Sequence, residues 1–219
     1  NISSAVLLFS TCLVVLFIGR VPLKFIAMLL IIGGFAGMIA FQFGQRGGTA
    51  VSRVEVFFGD EIPYQAQQGY AAIATGGLFG KGPGQSDQRN FLPSAYSDFI
   101  YAIIIEEYGF VGGIIVIFLY LGLLYRGMKA TAHSETAYGG LLVSGLVFSI
   151  IFQAMINIGV TLGLGPITGV TLPLLSMGGT SQLFFGIAIG MILSVTQGEL
   201  SSFPMGVKGN QSKKFERVA

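Results

Sequence analysis

The sequence predicts an all-α membrane protein, a polytopic bundle of about five transmembrane helices with one long extracytoplasmic loop. Of its 219 residues, 53% are hydrophobic and only 10% are charged. Soluble proteins carry about 25% charged residues, so this composition indicates a bilayer. The formal net charge of +2 is too small to indicate a nucleic-acid partner. The one cysteine, Cys12, lies in an apolar run and provides no disulfide framework.

Five apolar stretches approach or reach the 17–25 residues, roughly, that a membrane span needs. They are residues 2–18, 22–43, 99–125, 138–162 and 180–195. The first is near the minimum length and the last is slightly short. Residues 44–98 form the long loop, and residues 198–219 form a polar, basic tail. We therefore expect one membrane domain over residues 1–197, followed by the tail.

Basic residues orient the predicted bundle. Arg20 and Lys24 flank the first short turn, Arg126 and Lys129 flank the turn after the third stretch, and further basic residues crowd the tail. The positive-inside rule makes all three places cytoplasmic, which puts the long loop outside and the carboxyl end inside. The chain opens on Asn1 with neither an initiator methionine nor a signal peptide. We therefore expect it to be the back portion of a longer membrane protein.

The long loop contains a candidate helix and a glycine-rich run. Residues 64–78 mix apolar and polar side chains and are expected to form a helix at the membrane interface. The glycines of residues 76–86 allow close backbone approach, and Lys81 adds a positive charge. Backbone amides plus a cation suit a phosphate or pyrophosphate. The spacing is not that of a nucleotide P-loop, and taken alone the glycines are better explained by a plain turn.

Three carboxylates lie at or inside the third stretch. Asp98 stands where the polar loop becomes apolar, and a carboxylate at the mouth of a membrane helix can do acid–base chemistry on a substrate arriving from the lipid. The alternative is that Asp98 caps the helix that begins near Phe99. Glu106 and Glu107 are costly in lipid, so we expect them to face protein or water. One of them is expected to pair with a cation from another helix, which the missing front portion would supply.

Two long motifs, in order and between matching spans, resemble a known family. The first comprises Gln68, Gly76-Gly77-Leu78-Phe79-Gly80-Lys81-Gly82, Ser86-Asp87-Gln88-Arg89, Leu92-Pro93, Ser97-Asp98-Phe99-Ile100 and Glu106-Glu107-Tyr108-Gly109. The second comprises Asn157-Ile158-Gly159, residues 163–168 and the run from Leu172 to Ser181. Together they resemble the SEDS family (shape, elongation, division and sporulation), which includes FtsW, RodA and SpoVE, and most of all its division-type members, represented by FtsW. The chain departs from the family pattern at Ser94-Ala95-Tyr96, where Glu-Ala-His is common, at Arg89 for Lys and at Met177 for Tyr.

This resemblance implies a membrane enzyme of about ten spans, of which the five here are the last five. SEDS proteins are peptidoglycan glycosyltransferases of the bacterial inner membrane. They polymerise lipid II into β-1,4-linked glycan strands and release undecaprenyl pyrophosphate. The implied partners are lipid II, the growing strand, a class B penicillin-binding protein transpeptidase and other division proteins. The reaction inverts the donor linkage, so it needs a general base and stabilisation of the leaving pyrophosphate.

Residue by residue, the family's catalytic aspartate falls on Asp98. The residues predicted to bind substrate are Lys81 and Arg89, which would face the diphosphate, with Ser86, Gln88, Gln68 and Arg53. Those predicted to support the site are Glu106, Glu107, Ser176, Gly178 and Gly179. The alternatives are solvated loop charges for Lys81 and Arg89, a surface or headgroup contact for Arg53, and a bracing role for Gln68.

No cofactor is certain from the sequence. No cluster of His, Cys and carboxylates has metal-ligand spacing. A divalent cation, Mg²⁺ or Mn²⁺, that bridges Asp98 and the pyrophosphate is compatible with the chemistry, because hard cations often bind one carboxylate together with substrate phosphates. The metal requirement stays open at this point.

Two other function classes stay open on the sequence. A lipid II flippase or another transporter needs a hydrophilic path, and polar residues within the spans are few. A non-catalytic scaffold of the division machinery would tolerate Asp98→Ala in cells, whereas the enzyme would not. Ser176 and Ser181 have no base nearby in the sequence, so small residues there are expected to allow close helix contact instead of serving as nucleophiles.

Overall fold

The computed structural model describes residues 2–43, 58–59, 62–91, 96–134 and 136–202, and the regular secondary structure within these residues is all helical. The predicted all-α class is therefore confirmed. The helices are α1 (Ile2–Ile18), α2 (Leu23–Phe43), α3 (Tyr64–Gly76), α4 (Ile100–His133), α5 (Ala137–Thr161) and α6 (Gly179–Ser202), with a 3₁₀ turn at Gln88–Asn90.

Three helices within the described residues are long and apolar enough to cross a membrane. They are Ile100–His133, Ala137–Thr161 and the Gly179–Thr196 part of α6, and two shorter apolar helices cover Ser3–Ile18 and Leu23–Ile39. Helix α4 continues past the predicted end at residue 125, through Arg126 and Lys129. The charges end the apolar stretch but not the helix, because Arg and Lys are good helix formers and suit a helix carboxyl end.

The core lies between α4 and α5. α3 packs on α4, whereas α1 and α6 pack on α5. Gly127 of α4 allows the two long helices to approach closely, since a methyl group there would lie 2.4 Å from a methyl carbon of Val147. The buried residues that share this core are Tyr101, Ile105, Val116, Tyr120, Ala130, Val143, Val147, Ile150, Ile151, Ala154, Leu172, Ala188 and Ile192.

Helix α3 confirms that a helix lies within the long loop, and its contacts define its role. Its buried residues are small and lie along one face: Ala66, Gly69, Ala72 and Gly76. A methyl group at Gly76 would lie 2.2 Å from the carbonyl oxygen of Ile105. Small residues therefore let the α3 backbone lie directly on the first turns of α4.

Helix α4 is interrupted at Gly109, whose backbone angles (φ 73°, ψ −174°) are not helical. Such a break leaves amides and carbonyls on both sides without their usual partners in the helix. The run of residues 77–82, here called the glycine turn, supplies those partners through four backbone hydrogen bonds. They are Lys81 N to Glu106 O (2.9 Å), Gly82 N to Glu107 O (3.0 Å), Phe110 N to Gly77 O (2.9 Å) and Val111 N to Leu78 O (3.3 Å). The glycine turn and the break at Gly109 therefore complete each other's backbone hydrogen bonding.

Candidate functional site

Asp98 lies in a turn of residues 96–98, called here the Asp98 turn, immediately before α4. Phe99 is the N-cap of that helix, and no side chain caps it, so the capping role that the sequence allowed for Asp98 is not observed. The Asp98 side chain is half-buried, and its Oδ1 accepts a hydrogen bond from Ser97 Oγ at 3.0 Å. The carboxylate is thus not committed to holding the helix end.

The backbone of the Asp98 turn is held at three consecutive carbonyl oxygens. All three donors lie far along the chain, on α5 or on the segment that leads into α6. The bonds are Met177 N to Tyr96 O (2.8 Å), Ser176 Oγ to Ser97 O (2.6 Å) and Asn157 Nδ2 to Asp98 O (2.8 Å). The second sequence motif therefore fixes the part of the first motif that contains the predicted catalytic residue.

Two of these donor residues are almost fully buried, and each of them makes a second hydrogen bond. Asn157 is 2% exposed, and its Nδ2 also donates to Val170 O at 2.6 Å. Ser176 is also 2% exposed, and its Oγ accepts from Leu172 N at 2.7 Å. The supporting role predicted for Ser176 thus takes the form of hydrogen bonding and not only of close helix contact. Asn157 was not predicted as a site residue, although an amide inside an apolar helix already signals a required hydrogen-bond partner.

A second polar cluster surrounds Glu106 on α4. The Glu106 side chain is fully buried, with 0% exposure, and its two oxygens have four partners. Oε1 accepts from Lys81 Nζ (2.7 Å), Asp87 N (3.2 Å) and Thr75 Oγ1 (3.4 Å), and Oε2 accepts from Ser86 Oγ. Buried carboxylates require partners of this kind. The expectation that the cation comes from another helix or from a missing portion is wrong, because Lys81 of the glycine turn supplies it.

Lys81 is bound on two sides by protein. Its ammonium lies 2.7 Å from Glu106 Oε1 and 3.0 Å from Asp87 Oδ2, and its side chain is 27% exposed. Hydrogen bonds to Glu106 and Asp87 raise the pKa of Lys81 above its usual value, so the ammonium stays charged at neutral pH. The bonds of the charged ammonium to the two carboxylates stabilise the fold, and this stabilisation is lost only as the pH rises through that raised pKa. The amides of Lys81 and Gly82 also donate to carbonyls of α4, so the glycine turn has few donors left for a phosphate.

Removal of either partner of the Lys81–Glu106 pair is expected to destabilise the protein, and removal of both is expected to cost less than the two single losses together. Glu106→Leu leaves the donors of Ser86 and Lys81 without their acceptor and is expected to cost about 3 kcal/mol or more of unfolding free energy. Lys81→Met leaves a buried carboxylate without its cation and is expected to be at least as damaging. The double variant Lys81→Met/Glu106→Leu should be more stable than the sum of the two losses predicts.

Helical circular dichroism during thermal unfolding in detergent measures the stability of these variants, since the chain has no tryptophan to report on folding. Asp87→Asn is the control, because its side chain is 76% exposed and exposed ion pairs contribute little. Additive losses in the double variant would contradict a coupled buried pair.

The other predicted residues are placed as follows. Arg89 is half-buried, and its backbone amide donates to Ser86 Oγ at 3.2 Å. Gln88 is half-buried, with a buried Oε1 that has no hydrogen-bond partner in the described part of the chain. Gln68 is half-buried on α3, and Arg53 lies outside the described residues.

The three remaining supporting residues have backbone roles. The Glu107 carbonyl accepts from Gly82 N at 3.0 Å, and Gly178 N donates to Ser176 O at 2.9 Å. Gly179 begins α6. Apart from Gln68 and Arg53, the predicted residues therefore fall into two sets, one around Glu106 and one around the Asp98 turn. The first turns of α4 separate the sets, since six residues from Ile100 to Glu106 rise about 9 Å along a helix.

The residues at hand do not make a metal site by themselves. Within the part of the chain that the structure describes, no group of three or more His, Cys, Asp or Glu side chains is arranged to hold a metal ion. Asp98 contributes a single carboxylate. A divalent cation at Asp98 would need its other ligands from elsewhere.

Comparison with known proteins agrees with the two motifs. A family profile described as cell cycle protein, covering FtsW, RodA and SpoVE, matches residues 1–200. The chain belongs to the FtsW/RodA/SpoVE family. It is therefore a multi-pass membrane protein, in agreement with its apolar helices.

The relatives of this chain include a sporulation protein and proteins named peptidoglycan glycosyltransferase. The chain is 36% identical to stage V sporulation protein E of Bacillus subtilis strain 168 over 90% of this chain and 55% of that protein. It is 38% identical to the probable peptidoglycan glycosyltransferase FtsW of Enterococcus hirae (69% of this chain, 38% of that protein). It is 39% identical to the peptidoglycan glycosyltransferase RodA of Treponema pallidum strain Nichols (68% and 36%). The chain thus spans about half the length of the sporulation relative, and the assignment to the division type stays a prediction.

A solved structure shares the fold. It comes from work described as structural coordination of polymerization and crosslinking by a peptidoglycan synthase complex. The TM-score is 0.67 at 25% sequence identity, over 91% of this chain and 56% of the other. This chain thus shares its helical architecture with a chain from a peptidoglycan synthase complex.

Proposed function

We propose that the protein to which this chain belongs is a peptidoglycan glycosyltransferase that polymerises lipid II into β-1,4-linked glycan strands. Family membership and relatives named peptidoglycan glycosyltransferase support the reaction class. One observation carries the assignment to Asp98. Its backbone turn is held at three successive carbonyls, whereas its carboxylate has only the neighbouring Ser97 hydroxyl as a partner among the described residues.

In the proposed reaction Asp98 acts as the general base. The 4-hydroxyl of an N-acetylglucosamine acceptor attacks the anomeric carbon of the muramyl donor while Asp98 accepts the hydroxyl proton. A new carbon–oxygen bond forms as the bond to undecaprenyl pyrophosphate breaks, and the pyrophosphate takes the bonding electrons. The displacement inverts the α-linked donor to a β linkage.

Arg89 is the better candidate for the leaving diphosphate among the two predicted cations. A guanidinium can bind phosphate oxygens in a bidentate manner. The Lys81 ammonium already bonds to two carboxylates. Lys81 is therefore assigned to the support of the loop under the resting geometry, and direct contact with substrate would require the Glu106 pair to open.

The proposal includes location and partners. The long loop, with Asp98, is placed on the extracytoplasmic face of the bacterial inner membrane and the carboxyl end in the cytoplasm, on the basis of the basic residues near Arg20 and Arg126. The proposed partner is a class B penicillin-binding protein transpeptidase, together with other division proteins. The solved neighbour, described as a complex for polymerization and crosslinking, supports such a partnership.

Reconstitution of the full-length protein in vesicles with fluorescent lipid II tests this function. The enzyme is expected to produce glycan polymers, visible on a gel and sensitive to a muramidase. A flippase would instead make the labelled lipid inaccessible to an external quencher without polymer. A scaffold would do neither, and either of these two outcomes would refute the proposal.

A further inference from the structure

Asn157 is the one described side chain that joins the Asp98 residue itself to the second motif. Its Nδ2 donates to Asp98 O at 2.8 Å and to Val170 O at 2.6 Å. Its side chain is 2% exposed, so water does not compete for these bonds. Both acceptors of the Nδ2 group are backbone carbonyls, whereas the buried Oδ1 of Asn157 has no hydrogen-bond partner among the described residues.

The bond to Asp98 O ends on the proposed base itself, whereas the other two bonds of the turn end one and two residues before it. A general base has to lie within about 0.5 Å and 10–20° of its productive geometry. The carbonyl and the carboxylate of Asp98 branch from the same Cα, so a bond that anchors the carbonyl also limits where the carboxylate can go. Loss of this anchor would leave the residue in place but less well oriented.

We propose that Asn157 is a positioning residue for Asp98, with Ser176 in the same role at Ser97. This inference rests on the proposed function, in which Asp98 is the base. Asn157 does not touch substrate; it acts through the backbone of the Asp98 turn. Its loss should therefore reduce the rate of the chemical step and leave substrate affinity nearly unchanged.

The chain contains a matched control for this idea. Gln153 lies one helical turn before Asn157 on α5, and its Nε2 donates to Thr171 O at 2.9 Å. Asn157 makes the equivalent bond to the adjacent residue, Val170. Both amides bond to the segment at residues 170–171, but only Asn157 also bonds to Asp98. A difference between their variants thus isolates the bond to Asp98.

In the polymerisation assay, Asn157→Ala is expected to lower kcat by about 10–100-fold, as an ångström-scale misplacement of a catalytic group does. KM for lipid II should change less than about twofold, since no uniform binding contact is lost. Gln153→Ala should retain kcat within about threefold. Ser176→Ala should resemble Asn157→Ala, and Ser176→Thr, which keeps the hydroxyl, should restore most of the rate.

A second measurement does not depend on activity. Asp98→Cys is introduced after Cys12→Ala, because Cys12 is exposed and is the only cysteine in the chain. The rate at which a maleimide labels the introduced thiol is expected to change at least about threefold with Asn157→Ala and not with Gln153→Ala, because a released turn changes thiol access and orientation.

The two measurements separate the possible failures. Equal labelling rates in the Asn157→Ala and Gln153→Ala backgrounds would overturn the positioning role, whatever the protein does. Equal losses of kcat in those two variants would overturn it as well. If the wild-type protein makes no polymer but the labelling difference is present, the proposed function fails while the anchor on the Asp98 turn stands.

Discussion

Replacement of Asp98 by asparagine in the full-length protein is expected to lower lipid II polymerisation by about 10²–10⁴-fold, the usual loss for a positioned general base. The amide has the same shape as the carboxylate but cannot take up the acceptor proton. The three bonds to residues 96–98 all end on backbone carbonyls, so they survive the substitution. The variant should therefore fold normally and bind lipid II, with the loss confined to kcat.

Gel analysis of polymer from fluorescent lipid II, with initial rates at saturating substrate, measures this effect. Asp87→Asn is the matched control, since it removes an exposed carboxylate of the same loop and should retain the rate within about twofold. Thermal unfolding followed by circular dichroism establishes that both variants are folded. Near-normal polymerisation by a folded Asp98→Asn variant would remove Asp98 from the mechanism.

Gly80→Ala is expected to be the most destabilising small substitution in the glycine turn. Gly80 has φ 77°, and a methyl group there would lie 2.2 Å from Glu107 O and 2.6 Å from Gly109 N. These atoms belong to the backbone at the break in α4, so they cannot rotate away as a flexible side chain would. We expect a loss of roughly 4 kcal/mol or more of unfolding free energy, a size reached only when a substitution forces the backbone to shift or strains it.

Gly84→Ala separates backbone strain from the clash. Gly84 has nearly the same φ, 76°, but nothing lies within 4 Å of a methyl group built there. The Gly84→Ala variant should therefore lose only about 1–2 kcal/mol of unfolding free energy, the cost of a left-handed backbone conformation at a residue with a side chain. The helical signal during thermal unfolding measures both variants. Equal losses for the two would show that the close packing of the glycine turn against α4 contributes nothing to stability.

Gly109→Ala is expected to behave like Gly80→Ala, because the contact is reciprocal. A methyl group at Gly109 would lie 2.2 Å from Leu78 O, and its φ is 73°. A glycine at each position leaves room for the backbone of the other segment. This close approach gives Gly80 and Gly109 a structural explanation.

Much of the fold was predictable because the signal is local. An apolar run is recognised without knowledge of its neighbours, and helices α1, α2 and α5 begin and end within a residue or so of three of the apolar stretches. The helix in the loop and the position of Asp98 at the start of α4 were also visible in the local pattern. The two motifs were sufficient to identify the family.

The partners of the polar residues were not predictable in this way. Lys81 and Glu106 are 25 residues apart, Asn157 and Asp98 are 59 apart, and Ser176 and Ser97 are 79 apart. The pattern of the sequence shows that a buried carboxylate or amide needs a partner, but not which one. Hence the sequence alone does not pair Lys81 with Glu106 or Asn157 with Asp98.

By itself, then, the sequence determined that the protein is a helical membrane protein of this family. It also determined where most of its helices begin, and that Asp98 lies where the long loop joins a helix. Only the tertiary structure decided that the glycine turn completes a broken helix, that Lys81 neutralises Glu106, and that Asn157 and Ser176 hold the Asp98 turn. The physical reason is that hydrophobicity and helix formation depend on neighbouring residues. A hydrogen bond in a dry interior instead depends on which distant groups the packed helices bring within about 3 Å.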